Sequence, residues 1–434
     1  MDRPEEVSGR RSRWRRLRIA LAVLSVFALA AAACGGDDDD DDDTSASDTT
    51  AEGTESLLGP ENVASGEPIK VGMVSDGATQ AFDNTDELRA AQAAAEYYNN
   101  HKGGIGGRPI EVVTCETGAD PAGATDCANQ LVEAEVVAVA LSQSAVADSV
   151  WEPLHAAGIP TLFFQTSTEA MLADTTDSFV MVNPLATLYG TPIAAAEAED
   201  TDKLAFVLID VPQALATFES GAADEILDNA GLEYELIKVA PGTADMTVQM
   251  QQVVDAGAGV VQIVGNDAFC IAAIQGLTAV GYDGAITLIS QCVTDATREA
   301  LPGQLEGISI TSTMALGAED DPAYQLYLEV MDTYGEDVED VPNAAAMGGY
   351  TVMSSLAVAL QGISGDVTPA TAAETIKAMS ESDFPGADGL TFQCGGTAFT
   401  PQPAVCSNGS LRATLDADGF PASYEAVDST DILP

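Results

Sequence analysis

From residue 69 onward, short apolar runs alternate with stretches in which apolar residues recur every three or four positions. Residues 69–74 have the length and character of a strand. Leu88, Ala91, Ala94, Ala95 and Tyr98 then share one helical face. Asn84 and Glu87 are spaced as a variant capping box before that helix, and Gly103-Gly104 ends it. Residues 110–114 predict the next strand. Asp120-Pro121 supplies an N-cap acceptor followed by proline at the first helical position. Residues 136–141 form an unbroken apolar run, as in a strand buried on both faces. A helix to about Ala157 and a strand over 160–164 follow.

The rhythm restarts at Lys203. Strands are expected at 204–209, 234–239, 260–264, 285–290 and 308–313, with helices at 214–229, 246–256 and 269–280 between them. Strands alternating with helices of this length imply parallel sheets built by crossover connections. Two such series predict an α/β protein with two lobes. Residues 322–380 read as mainly helical, with Tyr324, Leu328 and Met331 on one face and a small-residue helix at 345–360 suited to close packing. Late strands are expected at 390–399 and 411–416.

The 434 residues are 46% apolar, enough for a substantial core. Charge excludes more than it identifies: 68 acidic residues face 16 basic ones, a net charge of −52. Such a surface repels nucleic acid and anionic lipid headgroups, so no nucleic-acid partner is expected. Basic residues concentrate at 10–18, ahead of an apolar stretch at 19–33 that is short of the roughly 20 residues of a membrane span. Small residues lead up to Cys34. That is the layout of a secretory signal, 1–33. The placement of Cys34 resembles a bacterial lipobox, with Ala31 where such motifs favour leucine and Leu29 two residues earlier. It implies lipidation of Cys34 and anchorage to the outside of the cell membrane. The aspartate run at 37–43 and the polar sequence after it cannot support a core. Residues 34–67 are expected to form a disordered acidic tether.

Six further cysteines, Cys115, Cys127, Cys270, Cys292, Cys394 and Cys406, suit disulfides in an oxidising compartment. They fall into three close pairs, but six cysteines allow about 15 connectivities and spacing leaves these open. No Cys/His ligand spacing is present, so no metal is expected. The two histidines, His101 and His155, lie away from the strand-end loops. No GxSxG elbow, Walker loop or HExxH occurs. The expectation is a binding protein without a cofactor rather than an enzyme.

The segments IKVGMVSD, EYYNNHKGGIGGRPIEVV, VVAVALSQS and HAAGIPTLFFQTST, continued by GYDGAITLISQC and GGYTVMSSLAVAL, resemble the branched-chain amino-acid binding proteins of ABC importers. These are type I periplasmic substrate-binding proteins. The likeness runs nearly from Ile69 to the C-terminus, with GGIGGRPI its strongest element. It implies two Rossmann-like lobes joined by a three-crossover hinge near 184–191, 313–317 and 400–410. Lobe 1 would be 68–187 and 316–402, and lobe 2 would be 188–315 and 403–434. It further implies a monomer that carries a small polar solute (an amino acid, an amide or a urea-like compound) to permease subunits. A ligand-sensing module for a membrane receptor or kinase is the alternative.

Open α/β sheets bind ligands beyond the carboxyl ends of their strands. In the resembling family two such loops hold the ligand's carboxylate. Thr166 and Ser167 take the positions of one pair of its residues, and Ser144 or Ala145 that of its serine. Hydroxyls and free N–H groups at a helix start can bind an anion without a basic side chain. Phe82 stands where the family often packs an aromatic ring. In the second lobe Gln213, Asn266, Asp267 and Gln291 follow strands. Gln291 stands near the place where the family has an acid for an amino-acid ammonium, and Asp267 or Asp210 could supply that charge instead.

Overall fold

A computed structural model of the chain describes residues 56–79, 83–142 and 144–434. The leader, Cys34, the aspartate run and Phe82 lie outside the described residues, as does the side chain of Gln213. The chain begins with β1 (Ile69–Ser75), α1 (Thr85–Tyr97), β2 (Ile110–Glu116), α2 (Pro121–Glu133), β3 (Val139–Leu141), α3 (Ala147–Ala156), β4 (Thr161–Phe163), α4 (Glu169–Leu172) and β5 (Ser178–Val180). It continues through α5 (Pro184–Ala198), β6 (Lys203–Ile209), α6 (Pro212–Ser220), α7 (Ala222–Asn229), β7 (Glu233–Val239), α8 (Thr247–Ala256), β8 (Val260–Val264), α9 (Asp267–Val280), β9 (Ala285–Leu288), α10 (Asp295–Ala300) and β10 (Ser309–Ser312). The last elements are α11 (Pro322–Tyr334), α12 (Ala344–Leu360), α13 (Pro369–Lys377), β11 (Ser382–Asp383), β12 (Thr391–Phe392), β13 (Gly409–Leu415) and β14 (Pro421–Asp428).

Among the described residues, one five-stranded sheet has the order β2-β1-β3-β4-β5. All its neighbours run parallel, with Val71 opposite Val112 and Leu141 opposite both Val74 and Phe163. A seven-stranded sheet has the order β14-β13-β10-β9-β8-β6-β7; its antiparallel pairs are β10–β13 and β13–β14, so β13 alone runs against the others. β11 and β12 form a separate ribbon. The α/β expectation of two largely parallel sheets holds.

The core follows from this layering. Met73, Leu162 and Phe164 pack with Ala91 and Ala94 of α1, Tyr327 of α11 and Tyr350 and Leu356 of α12. The opposite face of the first sheet buries Val74, Leu141 and Phe163 against Leu131 and Leu154. That cluster continues through Tyr189 of α5 to Phe206 and Leu208 of β6. Val207, Val261 and Ile263 pack on the other side with Met250 of α8 and Ile274 of α9. Burial of both sheet faces is the reason the inner strands read as unbroken apolar runs.

The chain passes between the sheets three times, after β5, after β10 and after β12. Two of these passages are zipped together. The Val180 N–H donates to the Ala404 carbonyl at 2.8 Å, and the Cys406 N–H to that of Val180 at 2.8 Å. The buried Asn183 amide donates to Asn408 Oδ1 at 2.9 Å, while its own oxygen accepts from the Leu185 N–H and caps α5. Tyr424 on β14 donates its hydroxyl to the Leu316 carbonyl in the remaining passage. Three disulfides, Cys115–Cys127, Cys270–Cys292 and Cys394–Cys406, realise nearest-neighbour pairing.

Several expectations are corrected. Residues 184–191 lie inside α5, because the Asn183 cap and Pro184 start a helix there. The helix expected over 214–229 is two, broken at Gly221, whose φ of 83° is left-handed. β5 and β14 escaped the sequence reading: the first is three residues long, and the second lies at a sheet edge with little buried surface. The strand expected over 390–399 contracts to two residues. Residues 56–67 are not a free tether: Leu58 is buried, and the Asn62 and Ala64 N–H groups donate to the Asn100 and Asn99 carbonyls.

The small residues of α12 permit its close approach to α1. A Cβ at Gly349 would lie 2.1 Å from the Glu87 carbonyl oxygen, and one at Gly348 would lie 2.6 Å from Ser142 Oγ. Gly349→Ala should therefore push the two helices apart. The expected cost is about 1–3 kcal/mol, despite alanine's higher helix propensity, read as a lowered urea midpoint.

Candidate functional site

Because β1, β3 and β4 are parallel neighbours, the loops leaving their carboxyl ends meet at one edge. Ser144 and Ala145 follow β3; Gln165, Thr166, Ser167 and Thr168 follow β4. With Ala147 and Asp148 of α3, these residues line a groove of about 390 Å³. The fold thus gathers four candidates separated in sequence, Ser144, Ala145, Thr166 and Ser167, around one space.

Their hydrogen bonding differs from the sequence expectation. Asp76, directly after β1, is 2% exposed and takes the donors assigned to an anionic ligand. Its Oδ1 accepts from the Ser144 hydroxyl at 2.6 Å and from the Thr117 hydroxyl at 2.6 Å. Its Oδ2 accepts from the Ala145 N–H at 2.8 Å. One carboxylate therefore joins the loops that follow β1, β2 and β3. Ser144 Oγ also accepts from the Val146 N–H, bracing the start of α3. Thr166 is buried and its hydroxyl oxygen accepts from the Thr168 N–H at 3.2 Å. Thr168 donates its own hydroxyl to Asp148 at 2.8 Å. Among the described residues, the exposed Ser167 hydroxyl has no hydrogen-bond partner.

Behind this row lies a second carboxyl. Glu87 leaves the expected capping box: Asn84 makes no side-chain cap, and the Glu87 side chain turns inward to accept from the Ser75 hydroxyl. Ser142 also hydrogen-bonds it. Burial pushes the Glu87 carboxyl up to about 7; the two serine hydroxyls oppose that rise and the Asp76 charge adds to it. Asp76 did not stand out in the sequence, where acids are abundant, and Glu87 did so only as a capping residue of α1.

The second-sheet candidates follow β6, β8 and β9, and Asn266, Asp267, Gln291 and Asp210 do not line this groove. Asn266 caps α9 by accepting from the Phe269 N–H at 3.0 Å. Asp267 accepts from its neighbour Ala268 N–H at 2.7 Å and from the Thr294 hydroxyl at 3.3 Å. Gln291 is exposed in a single 3₁₀ turn, where its oxygen faces the Ser290 hydroxyl. Asp210 is exposed after β6.

Two layered sheets with a polar groove at parallel strand tips agree with the comparisons. Residues 68–404 match the family model described as periplasmic binding protein. The chain belongs to that family. No curated protein sequence matches it. Among solved structures, this periplasmic binding protein is similar to an ABC transporter substrate-binding protein from Sphaerobacter thermophilus, with a TM-score of 0.61 and 20% identity over 85% of this chain and 100% of the other. A leucine-, isoleucine-, valine-, threonine- and alanine-binding protein from Brucella ovis, in a closed conformation, gives a TM-score of 0.64 and 12% identity over 85% and 97% of the two chains. A solute-binding protein of an ABC transporter from R. palustris, in complex with 4-hydroxybenzoate, gives 0.59 and 17% over 83% and 98%. At such identities the likeness is one of fold.

Glu87 makes stability depend on pH. The folded protein keeps its proton up to about 7, whereas an unfolded glutamate releases it near 4.5. The stabilisation is complete below the lower value and is lost as pH rises through the upper one. Relative to Glu87→Gln, the unaltered protein should lose roughly 3 kcal/mol between acidic and mildly alkaline pH. Denaturant unfolding of both proteins across that range measures it.

Proposed function

We propose that this periplasmic binding protein captures a small polar solute outside the cytoplasm and delivers it to the permease subunits of an ABC importer. The groove at the tips of β3 and β4 carries this reading, because it offers hydroxyl, amide and backbone groups at the edge where parallel strands end. The lobe built on the first sheet closes on the lobe built on the second by bending at the three passages between the sheets. Asn266, Asp267 and Gln291 meet the solute from lobe 2 once the lobes close. Membership of a family of binding proteins supports this role over catalysis. Lipidation of Cys34 holds the protein at the membrane, with the acidic segment from residue 34 to about residue 55 as its tether. Among the described residues no helix is long and apolar enough to cross a membrane.

The test is a thermal-shift screen of the full chain against amino acids, amides, amines and short carboxylates, followed by calorimetry on the best compound. A hit should reduce the radius of gyration in solution scattering. Ser167→Ala, which removes the unpartnered groove hydroxyl, should weaken binding by about five- to tenfold. A hit that is indifferent to Ser167 overturns the placement of the site; an entirely silent screen overturns the solute-binding role.

A further inference from the structure

We infer that the groove takes the amine end of a small organic cation and holds no carboxylate, because the chain's own Asp76 occupies the donors that would bind one. This rests on the solute-binding reading and narrows it. An incoming carboxylate at the β3 loop needs the Ser144 hydroxyl and the Ala145 N–H. Both already point at Asp76, at 2.6 and 2.8 Å. Displacing them would leave a carboxylate that is 2% exposed without two of the three charge-assisted hydrogen bonds it receives among the described residues. The incoming anion would also sit against Asp76 itself, at a site where burial weakens the screening of like charges.

The remainder of the groove has the same sign. Asp148 lines it, and its carboxylate is held by the Thr168 hydroxyl at 2.8 Å. Among the described residues no basic side chain lines it. Of the lysines and arginines between residues 70 and 108, Lys70 reaches the Ala134 carbonyl, Arg89 pairs with Asp86 and Glu339, Lys102 lies over the Tyr97 ring, and Arg108 binds the Glu67 carbonyl. The remaining lone pairs of Asp148 and the Ser167 and Gln165 side chains suit a ligand rich in N–H donors, and the Asp76 carboxylate lies directly behind Ser144 and Ala145. An ammonium group supplies three such donors and a favourable charge.

Matched compounds separate the ligand's two ends: isoamylamine, leucine and isocaproate share one tail, and phenethylamine, phenylalanine and hydrocinnamate another. Calorimetry on the purified full chain should find the amine tightest in at least one triplet, by about tenfold over the corresponding carboxylate. Asp76→Ala frees the Ser144 and Ala145 donors. It should reverse the order, with the carboxylate gaining about tenfold and the amine losing as much. A gain of binding cannot arise from misfolding. Asp76→Asn, which keeps the shape and one acceptor oxygen, should lower amine affinity in a folded protein. The inference is overturned if leucine or isocaproate binds the unaltered chain most tightly, or if the Asp76 variants leave the amine-to-carboxylate ratio unchanged. Silence of all six compounds in every variant also overturns it, whereas the solute-binding reading falls only if the wider screen is silent as well.

Discussion

A parallel sheet covered on both faces leaves its strand ends as the main place where backbone and polar side chains reach solvent. That constraint organises this protein. Helices on each side of the first sheet bury Met73 and Leu162 on one face and Val74, Leu141 and Phe163 on the other. The loops after β1, β3 and β4 are thereby forced to one edge, where the Ser144 and Ser167 segments face the same groove. Burial drives the layers together without direction; strand polarity then decides which residues become neighbours.

Buried carboxyls set the character of that edge. Asp76 keeps its place by receiving three donors, one from the loop after β2 and two from the loop after β3. Charge-assisted bonds of this kind fix loop geometry more firmly than neutral ones. For Glu87, burial favours the protonated form against the pull of two serine hydroxyls. Gly348 and Gly349 contribute at a distance: by admitting α12 against α1, they bring it up to the Ser142 hydroxyl and the Glu87 backbone.

The passages between the sheets combine backbone pairing at Val180 with the buried Asn183–Asn408 contact. Side-chain amides there satisfy both a helix cap and a crossing segment, so a buried polar pair carries little desolvation penalty. α5 crosses the ends of β13 and β14 close enough that Gly190 could bear no Cβ without meeting Ser429 and Ser410. Such contacts locate the points at which one sheet connects to the other.

Sequence by itself determined the α/β class, the alternation of strands and helices and the cap at Asp120, because periodicity and capping are local properties; the cap at Asn183, where a hinge was expected, emerged only in the fold. It also located the loops that carry Ser144, Ala145, Thr166 and Ser167, since an apolar strand marks its own end. It missed β5 and β14, whose short length or exposed edge leaves no apolar signal, and it joined α6 to α7 across Gly221. Only tertiary structure chose among the possible disulfide pairings. It alone showed that residues 56–67 pack against the folded part and that Glu87 points inward. It alone revealed Asp76 as the acceptor for Ser144 and Ala145. Those outcomes depend on which distant residues share a space, and in a chain this rich in acids no local pattern distinguishes a solvated carboxylate from one held by three donors.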